Sequence, residues 1–326
     1  MEQIRLELGN RGFLNAEVDT LVEKRNKKAN VTYQVTGHEP YRIRNYQDSI
    51  SPVDTTIYKI LDLHKDLKVI DKGDIFDLKR LDDGRVRIVT ELRNHGYYDF
   101  LKENLYYLAD TTVGTNQVDL TLGLNTPTDS TNHKQYYFRD IIENNGIDQL
   151  VLQDSSRHHL LDTVEFKGIK IVSEPRKFMR PSAIYYNTLI RPGRLYADRI
   201  VERTYSSLNH LGSVSQTSVN LKPVQVNDSS FIDSYISVFP GNSHFMQFGV
   251  DGTNSAGDLG IAADAAYENK NILKGGETLR LKLNGSYEFI SASDSTSLLD
   301  KNYYEYGAEV SLSIPQLLLP WLMKHL

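Results

Sequence analysis

Apolar and polar residues alternate with a period of two through the last quarter of this chain. Between Gly276 and Phe289, Leu279, Leu281, Leu283, Tyr287 and Phe289 fall on one face, and Arg280, Lys282, Asn284, Ser286 and Glu288 on the other, as a pleated strand requires. Tyr306, Ala308, Val310, Leu312 and Ile314 oppose Glu305, Gly307, Glu309, Ser311 and Ser313 in the same way. So do Met246, Phe248 and Val250 against Gln247, Gly249 and Asp251, and Leu259, Ile261, Ala263, Ala265 and Tyr267 against the residues between them. The pattern predicts four consecutive strands. A soluble antiparallel sheet with one wet face alternates too, but ordinary strands average about 5–6 residues and two of these run for about twice that. Strands of roughly 9–11 residues cross a bilayer with the apolar face toward lipid and aromatics near the interfaces. Tyr267, Tyr287, Phe289, Tyr303 and Tyr304 lie near the strand ends as such girdles would.

Upstream, a different rhythm recurs: a helix stops at glycine, an aromatic or apolar residue often follows, and a pair of strands begins. It occurs as LGNRGFLNAEVD from Leu8, as LRNHGYYDF from Leu92 and more loosely as LNHLGSVSQTSV from Leu208. Glycine at such an exit supplies the left-handed backbone that other residues resist. The expected strand pairs are Ala16 to Lys24 with Ala29 to Thr36, Leu105 to Val113 with Gln117 to Leu124, and Ser213 to Leu221 with Ser230 to Phe239. A strand at Tyr41 to Tyr46 precedes a helix starting near Ser51-Pro52, with serine as cap and proline in the first turn, and a second helix covers Leu78 to Asn94. The unit is strand, helix, helix, strand, strand. In its last copy, strands at Tyr136 to Ile142 and Thr163 to Ile171 flank a polar insertion, and helices follow near Arg180 to Leu189 and Ala197 to Leu208.

At 326 residues the chain is long enough for about two to four units. A net charge of -5 and a pI near 6.0 leave no electrostatic footprint for nucleic acid. A mean hydropathy of -0.43, and no apolar run near the roughly 20 residues of a spanning helix, exclude a helical membrane protein and leave a barrel open. The absence of cysteine removes thiolate metal sites and cysteine nucleophiles. The first residues carry no apolar core or small-residue cleavage site, so no secretory signal is read there.

Candidate catalytic chemistry is thin. His158 and His159 lie near Asp154, Ser155 and Ser156, but adjacent residues on an extended chain point to opposite faces, and neither HExxH nor a nucleophile elbow occurs. Gly275-Gly276 opens no helix, so it is no phosphate loop, and the acids near Asp294 and Asp300 lack calcium-loop spacing. No enzyme, metal site or cofactor is expected.

The order of these pieces resembles the polypeptide-transport-associated (POTRA) modules of the outer-membrane assembly superfamily that includes BamA and TamA, the bacterial surface antigen family. GFLNAEVD…KKANVTYQVTGHEPYRI looks like the end of one module entering the next, RPGRLYADRIVERTYSSLNHLG like the helical hairpin of the barrel-proximal module, and KNILKGGETLRLKLNGSYE like an early barrel crossing. The insertion in the last module resembles the TamA or TamL branch. The family's late Arg-Gly-Phe-type loop motif has no counterpart here. A barrel needs at least about eight strands and an outer-membrane protein needs the secretory signal that is not read at the start of this sequence, so the resemblance implies a chain truncated at both ends.

The resemblance implies an α+β fold of such modules followed by the first strands of an antiparallel transmembrane β-barrel: the end of one module at 1–40, a module at 41–126, the barrel-proximal module at 134–243 and barrel strands at 244–326. It implies a bacterial outer-membrane assembly or translocation factor with its modules in the periplasm, whose partners are unfolded outer-membrane or secreted client polypeptides, outer-membrane lipid, and periplasmic or inner-membrane accessory subunits. A two-partner secretion transporter and a soluble periplasmic binding scaffold are the alternatives. The expected client-pairing edge is the strand carrying Tyr106, Tyr107 and Leu108. The expected seam strand, which opens against the last barrel strand, carries Met246, Phe248, Gly249, Val250 and Gly252.

Overall fold

Two left-handed glycines, Gly12 (φ 91°) and Gly96 (φ 98°), end helices and release the chain into the strands that follow, as the sequence predicts; Gly212 needs no such φ. A computed structural model describes residues 1–25, 28–50, 53–125, 132–147, 161–255, 258–289 and 303–315. The chain divides into one unit of residues 1–136 with 195–198, and a second of 137–194 with 199–326.

In the first unit, helix α1 (Glu2–Asn10) leads into an antiparallel hairpin of β1 (Glu17–Arg25) and β2 (Lys28–Thr36). Then come β3 (Arg42–Asp48), α2 (Thr55–Leu63), α3 (Leu78–Asn94), β4 (Leu105–Asp110) and β5 (Gln117–Leu124). The sheet order is β3-β5-β4, with β5 parallel to β3 and antiparallel to β4. Ile57 of α2 and Ile88 and Leu92 of α3 are buried with Leu105, Leu122, Leu124, Tyr97 and Phe100 in one cluster. Ile43, Val118 and Leu120 join Ile70, Phe76 and Leu81 in another. Each fully buried side chain of this size contributes roughly 1.5–3 kcal/mol. The cap of α2 is Asp54, whose carboxylate accepts from the N–H groups of Thr56 (2.9 Å) and Ile57 (3.0 Å). It replaces the expected Ser51-Pro52 start, residues that lie outside the described ones, because one carboxylate satisfies two of the free amides at the helix start. Asp77 caps α3 likewise.

The second unit repeats the plan with β6 (Tyr136–Asn145), α4 (Pro181–Asn187), α5 (Asp198–Asn209), β9 (Val214–Val226) and β10 (Ser229–Pro240). The expected single strand over Thr163 to Ile171 is instead a hairpin, β7 (Asp162–Phe166) and β8 (Ile169–Ser173). Lys167 (φ 50°) and Gly168 (φ 83°) are both left-handed, the turn that matches hairpin twist. The sheet order is β7-β8-β6-β10-β9, with β8 parallel to β6. The hairpin that follows the polar insertion therefore lies along the outer side of β6.

Both units tie their opening strand to their closing strand through a two-pronged ion pair. Arg44 on β3 donates to Asp119 on β5 through Nε (2.9 Å) and Nη2 (2.5 Å). Arg139 on β6 donates to Asp233 on β10 through Nε (2.8 Å) and Nη2 (2.6 Å). The hydrogen bonds to arginine hold both carboxyls below the usual aspartate range. A second correspondence involves left-handed glycines. Gly73 N–H donates to Ile43 O and Gly193 N–H to Phe138 O, each at 2.7 Å, and each strand residue donates back to the residue after the glycine, Asp74 or Arg194.

The second unit continues into β11 (His244–Ser255), β12 (Asp258–Asn269), β13 (Thr278–Phe289) and β14 (Tyr303–Ser313), an antiparallel sheet in chain order. Their lengths of 12, 12, 12 and 11 residues are about twice the ordinary strand. The β12–β13 turn is anchored by a short relay. Asn145, at the end of β6, bonds both backbone groups of Met179. On either side of Met179, Phe178 O accepts from Asn271 Nδ2 (2.9 Å) and Arg180 N–H donates to Lys274 O (2.7 Å).

Candidate functional site

Strand β4 pairs with β5 on one side, from Leu105↔Leu124 to Asp110↔Asp119, and is an edge of its sheet. It ends at Asp110, short of the expected Val113; Asp110 there accepts from the Thr112 N–H (2.9 Å) and hydroxyl (2.7 Å) and turns the chain away. The three residues named from sequence divide between the two faces. Tyr107 packs against the core beside Tyr46, ring centroids 6.4 Å apart, and burial pushes both phenols above their usual pKa. Tyr106 lies on the opposite face, its ring resting on Gly123 where any Cβ would collide with it. Leu108 is 60% exposed. Among the described residues no strand pairs with the other side of β4, whose backbone N–H and C=O groups are of the kind an extended chain can pair with, and Leu108 lies exposed beside them.

Behind this edge, Arg85 of α3 donates to Leu105 O (3.3 Å) and to Asp82, and Lys102 Nζ reaches Asp82 at 3.0 Å. Those bonds fix α3 to the start of the strand, so the edge is presented on a rigid support. Strand β9 is the corresponding edge of the second unit and spans 13 residues. It carries Lys222 and Pro223, opposite Asp233 and Ile232, and lysine and proline are the residues that blunt an exposed edge. Strand β4 carries neither.

In the four-stranded sheet the register gathers the apolar residues onto one face. Phe248, Ala265, Leu283 and Ala308 form one row, Met246, Tyr267, Leu281 and Val310 a second, and Val250, Ala263, Gly285 and Tyr306 a third. The opposite face carries rows such as Gln247, Ala266, Lys282 and Glu309. Phe248 is 77% and Tyr306 82% exposed. An apolar surface running without interruption across four strands is far larger than scattered surface hydrophobics and marks an interaction face. Among the described residues the edges of the sheet are β11 and β14. On β11, Met246, Phe248 and Val250 lie on the apolar face, and Gly252 stands in the same row as Ile261 and Tyr287 with nothing near its Cβ position. Gly249 is on the other face, where the Asp264 carboxylate fills the space a side chain would need.

Sequence reasoning places β9 only as far as Leu221, short of its end at Val226, and does not find the β7–β8 hairpin or the paired arginine and aspartate residues. The similar strings Gly73-Asp-Ile-Phe76 and Gly193-Arg-Leu-Tyr196, in each of which the glycine and the residue after it bond one residue of the opening strand, carried a repeat signal that could have aligned the two units. His158 and His159, Asp154 and the acids near Asp294 and Asp300 lie outside the described residues.

The class of protein these elements define is α+β: strand-helix-helix-strand-strand units followed by a long antiparallel sheet with one apolar face. Among solved structures the chain is similar to POTRA domains 3–5 of BamA from Haemophilus influenzae, at 15% identity over 73% of this chain and 78% of that one, with a TM-score of 0.40. It is similar to BamA from Haemophilus ducreyi lacking POTRA domains 1–3, at 14% identity over 83% of this chain and 47% of that one, TM-score 0.46. It is similar also to CdiB from Acinetobacter baumannii, at 9% identity over 76% and 40%, TM-score 0.36. The chain thus spans less than half of the last two. No family model and no curated protein matches it.

Proposed function

We propose that this chain is part of an outer-membrane assembly or translocation factor, in which an edge strand of the periplasmic units receives extended client polypeptides and the long sheet faces lipid as the opening strands of a barrel. The observation that carries the reading is the uninterrupted apolar face of β11–β14, joined in one polypeptide to α+β units with an unblunted edge at β4. Apolar-out and polar-in alternation over strands of this length is the pattern of outer-membrane barrels. Pairing through backbone groups at β4 tolerates many client sequences. Strand β11, with Gly249 and Gly252 weakening its pairing, is the seam at which new strands would template. The chemistry is hydrogen bonding and burial, with no catalytic step.

The test is site-specific photocrosslinking. A photoreactive residue at Leu108 should capture a urea-diluted, unfolded outer-membrane client, and one at Val118 in the buried central strand should not. In parallel, the chain refolded with phospholipid vesicles should float with them and protect β11–β14 from protease. Equal capture at the two positions would remove the edge, and a chain that stays soluble apart from vesicles would remove the membrane face and favour a periplasmic scaffold.

A further inference from the structure

Glu91 lies in the last turn of α3 and His95 caps its C-terminal end, four residues apart and so on one face, and His64 caps the C-terminal end of α2. Both imidazoles converge on one oxygen. His64 Nε2 lies 3.4 Å, and His95 Nδ1 3.1 Å, from Glu91 Oε1. The ring centroids are 5.4 Å apart, and one ligand atom from each residue lies within 4.8 Å of the others. All three side chains are partly buried, and His64 also lines the groove bounded by Tyr46, Ile50, Leu61 and Leu67, which gives an ion a way in.

Two nitrogens and a carboxylate oxygen form the donor set of a zinc-type cation; magnesium and calcium take oxygen ligands. The spacing fits as well. Zinc–nitrogen bonds of about 2.0–2.1 Å in a tetrahedron place neighbouring ligand atoms about 3.3 Å apart, close to both distances to Glu91 Oε1. Only the two nitrogens need approach each other, by side-chain rotation. His95 Nδ1 also meets the Glu91 carbonyl oxygen at 2.9 Å, a hydrogen bond that coordination through that nitrogen would replace.

We propose that His64, Glu91 and His95 bind a divalent cation of the zinc class, with water in the fourth position, and that the ion fastens the end of α2 to α3. The site depends only on the first unit's helices and is independent of any client or membrane role. It is tested on the full chain in detergent micelles. Isothermal titration with zinc chloride should show one equivalent bound, and zinc but not magnesium should raise the melting temperature. His64→Gln and His95→Gln should each weaken binding by about tenfold or more, while His210→Gln leaves it unchanged. Cobalt in place of zinc should give the intense visible bands of tetrahedral coordination, a readout on the unmutated chain that needs no variant to fold. Absent cobalt bands, or zinc binding retained when both His64 and His95 are replaced, would overturn the proposal.

Discussion

Arg180, the residue that precedes α4, holds Glu277 at the start of β13 through a 2.6 Å Nη2–Oε1 bond. Glu277 is 1% exposed, and its other oxygen accepts the Gly275 N–H at 2.8 Å. The pair closes the relay that runs from Asn145 through Met179 to the β12–β13 turn, so the turn is bound to the α+β portion of its own unit by charge as well as by backbone bonds. Breaking one partner of a buried pair strands the other, and with Arg180 partly exposed the cost of Glu277→Gln should be about 2–3 kcal/mol. Hydrogen exchange checks it: the Ile272 amide, bonded to Glu277 O, and the Lys274 amide, bonded to Asn271 O, should lose protection. Unchanged exchange would mean that the backbone bonds alone hold the turn.

Glu143 of β6 is fully buried. The Thr188 hydroxyl donates to one of its oxygens, and the other has no hydrogen-bond partner among the described residues. Burial pushes its pKa up to about 8, so the folded state holds a proton that the unfolded chain has released above about pH 4.5. Stability therefore falls as pH rises from 5 to 8, the carboxyl being driven toward a buried charge. Glu143→Gln should change stability little at pH 5 and raise it by roughly 2–4 kcal/mol at pH 9. Urea unfolding at the two pH values decides, and equal effects at both would refute the burial account.

At the β4 edge, Leu108→Lys should leave the melting temperature nearly unchanged, since exposed substitutions stay within about 0.5 kcal/mol. It should reduce client capture at neighbouring edge positions, because lysine blunts an edge. Undiminished capture would place the client elsewhere.

Gly123→Val, on the neighbouring β5 opposite Tyr106, separates packing from recognition at this edge. The valine would strike the Tyr106 ring, and the chain should lose about 1–3 kcal/mol, read by thermal or urea unfolding. A wild-type midpoint would mean that the ring swings free of Gly123 at no cost.

On the apolar face, Leu283→Arg places a charge in the middle row between Ala265 and Ala308. In a bilayer this should cost about 2–4 kcal/mol near the midplane and lower the fraction of chain recovered with vesicles. Lys282→Leu, on the opposite face, should not lower it. Equal behaviour of the two would mean that neither face is the lipid face.

Much of this architecture could be read from residues alone. Helix α3 and strand β5 fall on the residues expected, Leu78 to Asn94 and Gln117 to Leu124, because period-3.6 and period-2 patterns leave little choice when one face must be buried. The sheet register of β11–β14 follows from the same alternation. The β7–β8 hairpin is hidden because Thr163 to Ile171 reads as one continuous strand, and only the left-handed pair Lys167-Gly168 folds it back. The α2 start differs because Asp54, with two amide partners, outcompetes a Ser-Pro signal whose serine stands three residues earlier. His64 stands far in sequence from Glu91 and His95, and helix packing, which no local pattern records, brings them together.

The β7–β8 hairpin changes how the second unit's sheet meets other chains. Without it, the ten-residue β6 would form a free margin opposite β9, and a sheet open on both sides can be extended from either, the geometry from which stacked fibres grow. With it, the margin on that side is the five-residue β7 bearing Asp162 and Glu165, too short and too charged to seed further pairing. A strand added at β9 would therefore be a chain terminator, giving a discrete one-to-one complex where an uncapped sheet would polymerise.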